Sequence, residues 1–325
     1  MPAIRHTTIS SERGNPCTMF IMATERTLTI GTRGSALALK QADIVTCALK
    51  AADASIDVKI RIIETHGDVN QGPIPLDTIG KGWFTKEIES ALLSGEIDLA
   101  VHSLKDMADD MPDGLHIGAY LPREDARDVL VTKHGEPLEE LRSGAVIGTD
   151  SARRQIQMKA LRPDVVMQSL RGNVIKRLEK LATEPYDAII LAAAGLKRLG
   201  LEARINHYFE PDEMTPSPGQ GTLAVQIKRD RPGLQELLSA INDIDVARAA
   251  HIERSFSRVV GGGCKSPTGA YAARVGEDCL LTAMMLRADG TIYREKLRAP
   301  WSDCEHLGET LARTMQSARI NGSNA

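Results

Sequence analysis

Asp106 closes the segment VHSLKD (101–106), directly after the apolar run IDLA, with Lys105 beside it. A carboxylate at the carboxyl end of a strand can act as an acid or stabilise a developing cation. In GTDSARRQ (148–155), Thr149 and Ser151 offer hydroxyls where a helix begins, and Arg153 and Arg154 add two guanidiniums. Free N–H groups at a helix N-terminus favour anions, and the planar guanidinium fork suits carboxylates. SLRGNV (169–174) contributes Arg171, Arg177 follows shortly after, and Lys197 and Arg198 come after the run DAIILA. Any one of these alone reads as a solvated surface charge. Their recurrence at successive strand ends predicts a single cleft that takes a small polyanion. GTRGS (31–35) puts Arg33 and Ser35 at a comparable turn, but it lacks the GxxxxGK[ST] spacing of a nucleotide phosphate loop.

GGGCKSPTG (261–269) places Cys264 after three glycines, with Lys265 alongside to lower its pKa. Two readings stay open: a thiol presented on a flexible turn, or a buried structural cysteine. No Cys/His pair is evident, since His251 lies inside the preceding helical pattern. Cys47 and Cys279 fall in apolar helix and strand patterns and are expected in the core. The eight histidines form no HxxxH or HxH pair, so no metal site is expected.

The elements that must position these groups follow from periodicity. TLTIG (27–31), IDVKIRIIE (56–64) and IDLAVH (97–102) read as strands, with helices over ALALKQADIVTCALKAA and 83–94, and a Gly/Pro-rich loop over 67–82, a candidate lid. The pattern restarts near Asp128 with VLVT, AVIGT, VVMQSL and DAIILA, and TLAVQIK returns after TPSPGQG. Alternating strands and helices predict parallel α/β sheets. From Ile244 the order becomes helix, GGGC turn, three strands and a final helix over 305–317. The fold class is therefore α/β, with two lobes flanking a cleft plus a small C-terminal α+β domain. The expected division is a disordered extension over 1–25, a first lobe over 26–121 with 222–240, a second over 122–221, and the third domain over 241–325. A net charge of −3 and 3% aromatic residues argue against nucleic-acid binding. No apolar run approaches a membrane span, and the five scattered cysteines fit a reducing compartment, so a cytoplasmic protein without membrane contact is expected.

Together these segments closely resemble the porphobilinogen deaminase family. The stretches that carry the resemblance are GTRGSALAL (31–39), GKGWFTKEIE (80–89), IDLAVHSLKD (97–106), REDARD (123–128), GTDSARRQ (148–155), SLRGNV (169–174), YDAIILAAAGLKRLG (186–200), PGQG (218–221) and GGGCKSPTGAYA (261–272). They occur in family order. The resemblance implies lobes of the periplasmic-binding type and a dipyrromethane cofactor joined by a thioether to Cys264. It implies a transferase that couples four porphobilinogen molecules head to tail, releases ammonia each time, and then frees the linear tetrapyrrole by hydrolysis. It assigns Asp106 as the catalytic acid beside the azafulvene cation. Ser103, Lys105, Thr149, Ser151, Arg153, Arg154, Arg177 and Gln220 match cofactor contacts. Arg33, Ser35, Arg171, Arg198, Lys81 and Phe84 match substrate-side positions. A monomer acting on porphobilinogen is expected. Asp150 and Ala152 depart from the family's GTSSLRRQ, placing an acid near the arginine pair. Asp77 stands where some members have lysine, so that loop contact is not carried over. Two other readings compete: a non-enzymatic two-lobed carboxylate-binding protein, and a cysteine-nucleophile transferase without cofactor.

Overall fold

The first sheet is built around β3 (Arg26–Thr32), whose apolar residues Leu28 and Ile30 are fully buried. Ser35 ends that run and caps α1 (Ala36–Ala52), its Oγ accepting from the Ala38 N–H at 3.2 Å. β4 (Ile56–Ile62) and α2 (His66–Val69) follow, then α3 (Lys86–Ser94), β5 (Leu99–Ser103) and β6 (Leu115–Tyr120). The computed structural model describes residues 6–8, 18–20, 26–69, 85–261, 267–287 and 289–321. Within 1–25, where the sequence suggests a disordered extension, β1 (His6–Thr8) pairs antiparallel with β2 (Thr18–Phe20). The remainder of that stretch, and all but the first three residues of the 67–82 loop, lie outside the described residues.

The second lobe comprises β7 (Asp128–Thr132), β8 (Val146–Gly148), α4 (Ala152–Leu161), β9 (Val166–Gln168), α5 (Val174–Thr183), β10 (Ala188–Ala192), α6 (Ala193–Arg198) and β11 (His207–Phe209). The chain then returns to the first sheet with β12 (Leu223–Lys228) and α7 (Pro232–Ser239). Strand orders are β4-β3-β5-β12-β6 and β11-β7-β10-β8-β9. The all-parallel expectation is corrected here. β12 runs antiparallel to both its neighbours, and so does β7. Each is the strand laid down as the chain arrives from elsewhere, so no crossover helix fixes its direction. The remaining ladders, β3 with β4 and β5, and β8 with β9 and β10, are parallel. Helices cover both faces of the first sheet: Val45, Leu49 and Leu234 on one, Ile88 and Leu92 on the other.

Two segments, 121–127 and 216–222, join the lobes and hydrogen-bond to each other. Glu124 N–H donates to the Gly221 carbonyl, and Leu121 N–H to the carbonyl of Leu223 at the start of β12, both at 3.1 Å. Gly221 has φ +89°, and a Cβ there would meet the Glu124 carbonyl at 2.3 Å. Only glycine fits so close an approach of two backbones.

The third domain packs α8 (Ile244–Val259) and α9 (Leu307–Asn321) against an antiparallel sheet of β13 (Gly269–Val275), β14 (Asp278–Leu286) and β15 (Ile292–Pro300). Ile252, Phe256, Leu281, Leu311 and Met315 form its core. Cys279 is buried there as expected, but Cys47 is exposed. It falls on the solvent stripe of α1 with Lys40, Asp43 and Lys50.

Glu253 of α8 is fully buried and binds this domain to both crossing segments. Its carboxylate accepts from Arg123 (2.6 and 3.1 Å), from the Gly219 N–H (2.7 Å) and from the Ala272 N–H (2.8 Å). Removing one member of a buried pair strands the other charge, so Glu253→Ala is expected to cost about 3–5 kcal/mol in urea unfolding. Glu253→Gln, which keeps an acceptor, is expected to lose less. An alanine variant as stable as wild type would remove this clamp from the account.

Candidate active site

β5 leaves its sheet at Ser103, and one 3-10 turn follows over Leu104–Asp106. Leu104 anchors the turn: its side chain is fully buried and its N–H donates to the Thr222 carbonyl at 3.0 Å. Lys105 and Asp106 remain partly accessible. Ser103 Oγ accepts from Gln41 Nε2 of α1 at 2.9 Å, and Lys105 Nζ donates to Gln220 Oε1 at 3.2 Å. Burial pulls Lys105 down to about 8; Arg154 and Arg153 push the same way, while Asp106 and Asp128 oppose them. Behind the turn, burial lowers His102 to about 4, against its hydrogen bond to Gln226 and the charge of Asp106. Gln226 donates its amide N–H to Glu89 Oε1, so its Oε1 accepts from His102 Nε2 at 3.0 Å. The imidazole beside Asp106 is neutral.

The second lobe presents α4, capped by Ser151, whose Oγ accepts from the Arg154 N–H. Arg153 and Arg154 are 4% and 5% exposed, and they converge on Asp128 at the start of β7. Arg153 Nη1 reaches Asp128 Oδ2 and the Thr215 carbonyl, both at 2.6 Å. Arg154 Nε reaches Asp128 Oδ1 at 2.9 Å, and its Nη1 the Ile190 carbonyl at 3.0 Å. Burial alone would raise the Asp128 carboxyl, but the two guanidiniums hold it far below the ordinary carboxylate range. Gln220 completes the node from the second crossing segment, donating to Asp128 Oδ1 (3.0 Å) and the Ala126 carbonyl (2.7 Å). Thr149 is buried, and its hydroxyl accepts from the Ser151 N–H at 3.3 Å.

Further along this face Asp150 accepts from Ser169 Oγ at 2.8 Å and pairs with Arg171 Nε at 3.3 Å. The departure from the family pattern therefore meets Arg171, not the Arg153–Arg154 pair. Arg177 is lowered to about 10 by burial and by Arg154, against the pull of Asp106 and Asp150. Its Nε is buried without a hydrogen-bond partner. Arg198 Nη2 donates to the Gly221 carbonyl at 2.6 Å, which ties it to the crossing segments. Arg33 lies close enough to His102 to lower it further, and Ser35 acts as the cap of α1.

Ser103, Lys105, Asp106, Arg154, Arg171, Arg177 and Gln220 are thus gathered between the lobes, with Arg33 on the first-lobe side. Lys81, Phe84 and Cys264 lie outside the described residues. The segment with Cys264 enters β13, where the Ala270 N–H donates to the Pro216 carbonyl at 3.0 Å, four residues before Gln220. Sequence reasoning missed Asp128 as the arginines' partner. The signal is a charge opening a strand, DVLVT, that is buried throughout. It also gave no role to His102, Gln226 or Glu253.

The arrangement suits a polycarboxylate. Cations and hydroxyls are gathered there, the buried Nε of Arg177 lacks a hydrogen-bond partner, and Asp106 stands where positive charge can be stabilised. The donor set therefore fits a cofactor carrying carboxylate side chains.

Residues 28–236 match the family model for the porphobilinogen deaminase dipyrromethane cofactor binding domain, and residues 247–317 match that for the porphobilinogen deaminase C-terminal domain. The chain is 44% identical to porphobilinogen deaminase of Alkaliphilus metalliredigens over 89% of this chain and 92% of that one. It is 45% identical to porphobilinogen deaminase of Roseiflexus sp. over 89% and 95%, respectively. Among solved structures it is similar to the methionine binding protein MetQ, with a TM-score of 0.44, 11% identity, and coverage of 69% of this chain and 94% of that chain.

Because the folded Asp128 carboxyl is depressed, its contribution to stability is complete above the ordinary carboxylate range, near pH 4, and is lost as pH falls below it. Wild-type unfolding free energy is expected to drop between about pH 5 and 2, and less steeply in Asp128→Asn. Parallel pH profiles for the two proteins would remove Asp128 from that role.

Proposed function

The chain belongs to the porphobilinogen deaminase family, and on that premise we propose how its own residues carry the reaction. The enzyme is a hydroxymethylbilane synthase of tetrapyrrole and haem biosynthesis. It deaminates and couples four porphobilinogen molecules head to tail on a dipyrromethane primer, then hydrolytically releases the linear product. When bound, the dipyrromethane supplies the nucleophilic pyrrole carbon that primes the chain.

We propose that Cys264 carries that primer through a thioether. Ser103, Lys105, Thr149, Ser151, Arg154, Arg177 and Gln220 hold or frame its carboxylates, and Arg153 stiffens the frame through Asp128. The orphaned Nε of Arg177 is the observation that best supports this reading. Arg33, Ser35, Arg171 and Arg198 form the substrate side, together with Lys81 and Phe84. Asp106 protonates the departing amine, then as a carboxylate faces the cation left on the substrate, and receives the ring proton after coupling. A fixed anion beside a developing cation stabilises charge where it appears. The separate lobes and the two crossing segments support boundaries of 26–121 with 222–240, 122–221 and 241–325. Among the described residues no helix is long and apolar enough to cross a membrane. With the three described cysteines free, this supports action in the cytoplasm, and we propose a monomer. A non-enzymatic carboxylate-binding protein is not favoured, because it leaves Asp106 and the GGGC sequence without a role.

The decisive measurement is the intact mass of protein purified from cells that make porphobilinogen, beside Cys264→Ser. An excess of two linked pyrrole units in wild type alone is expected. A bare wild-type chain that porphobilinogen does not alter would overturn the assignment. Asp106→Asn is expected to reduce kcat by at least about 10²-fold with an unchanged melting curve. Near-normal turnover would remove Asp106 from its role. Arg154→Leu is expected to yield protein without the mass excess, and fully loaded protein would refute that expectation.

A further inference from the structure

Asp150 sits one residue ahead of the cap of α4 and reaches across to the turn after β9. There it accepts from Ser169 Oγ at 2.8 Å and pairs with Arg171 Nε at 3.3 Å. The Arg171 and Asp150 side chains are 25% and 33% exposed, so the pair is open to solvent. Asp150 also favours the charge of Arg177, which Arg171 opposes. The carboxylate therefore occupies, from within the chain, the kind of position a ligand carboxylate would take against the same guanidinium. A solvent-open ion pair is weak and exchanges readily for another of equal chemistry. Ser169 holds Asp150 by a second bond, so the acid stays in reach of Arg171 after displacement.

We propose that Asp150 is an internal surrogate for a substrate carboxylate: it holds Arg171 in the ligand-free cleft and is exchanged for a carboxylate of incoming porphobilinogen. This rests on the reading of Arg171 as a substrate-side residue. The exchange makes and breaks no covalent bond. It lowers affinity for each incoming unit and helps each carboxylate leave Arg171 as the chain moves on.

The test is a double-mutant cycle on cofactor-loaded enzyme, reading kcat and KM for porphobilinogen in Asp150→Asn, Arg171→Gln and the double variant. Loading is verified by mass. Glu139→Gln, an equal charge change on the exposed surface of the same lobe, is the control. Asp150→Asn is expected to lower KM about fivefold with kcat little changed. That gain is expected to vanish in the Arg171→Gln background and to be absent from Glu139→Gln. A gain that persists without Arg171, or that Glu139→Gln matches, overturns the exchange. So does an unchanged or raised KM in Asp150→Asn where Arg171→Gln itself raises KM, and that result leaves the substrate-side reading intact. An unchanged KM in Arg171→Gln overturns that reading and the exchange with it. Asp150→Ser, which removes the charge with a smaller side chain, is expected to repeat the asparagine result.

Discussion

A carboxylate with no access to water must be neutralised where it lies, and Asp128 sets that condition for this protein. Its three partners come from two places: Arg153 and Arg154 from α4, and Gln220 from the second crossing segment. Asp128 itself opens β7, directly after the first crossing segment. One buried charge thus fixes the angle of α4, the register of β7 and the meeting of the two crossings. Gln220 extends the constraint into the first lobe by accepting from Lys105, the neighbour of Asp106. In a low-dielectric interior such a node tolerates little displacement, because any lengthened bond leaves charge uncompensated.

The surplus of positive charge that the ligand meets is consequently smaller than the arginine count suggests. Arg153 and Arg154 share the full charge of Asp128, and Arg171 shares that of Asp150. Burial depresses Lys105 and Arg177, so an approaching carboxylate strengthens groups that are held below their ordinary basicity. Binding of a polyanion and retention of protons on these groups reinforce each other.

Much of this was legible in the sequence, and the rest was hidden for identifiable reasons. The helix after Ser35, the strand over 97–102 and the three strands of the C-terminal unit follow from caps and periodicity, which are local. The direction of β7 and β12 did not, because alternation of elements is blind to which lobe a strand has just left. The arginines at 153 and 154 were visible as a charge cluster, but their orientation depends on Asp128, 25 and 26 residues away. Cys47 looked apolar in context and lies on the solvent stripe, since a single residue type is a weaker guide than the helical phase of its neighbours. Asp150 was visible as a departure from the pattern. That it faces Arg171 and not the adjacent pair is a property of the turn after β9.

The position of β12 also bears on how the molecule is made. In its finished sheet β12 lies between β5 and β6, although the whole second lobe separates it from them in the chain. As the polypeptide leaves the ribosome, the strand leading into Asp106 has one open edge, and β6 has no neighbour, until residue 228 has been made. The first lobe cannot close before the second exists. Such long-range pairing slows folding and leaves an unpaired edge in the interval. The strand that leads into Asp106 therefore gains its second neighbour only after the whole second lobe has been made, and a truncated product ending within that lobe carries the aspartate without the frame that aims it.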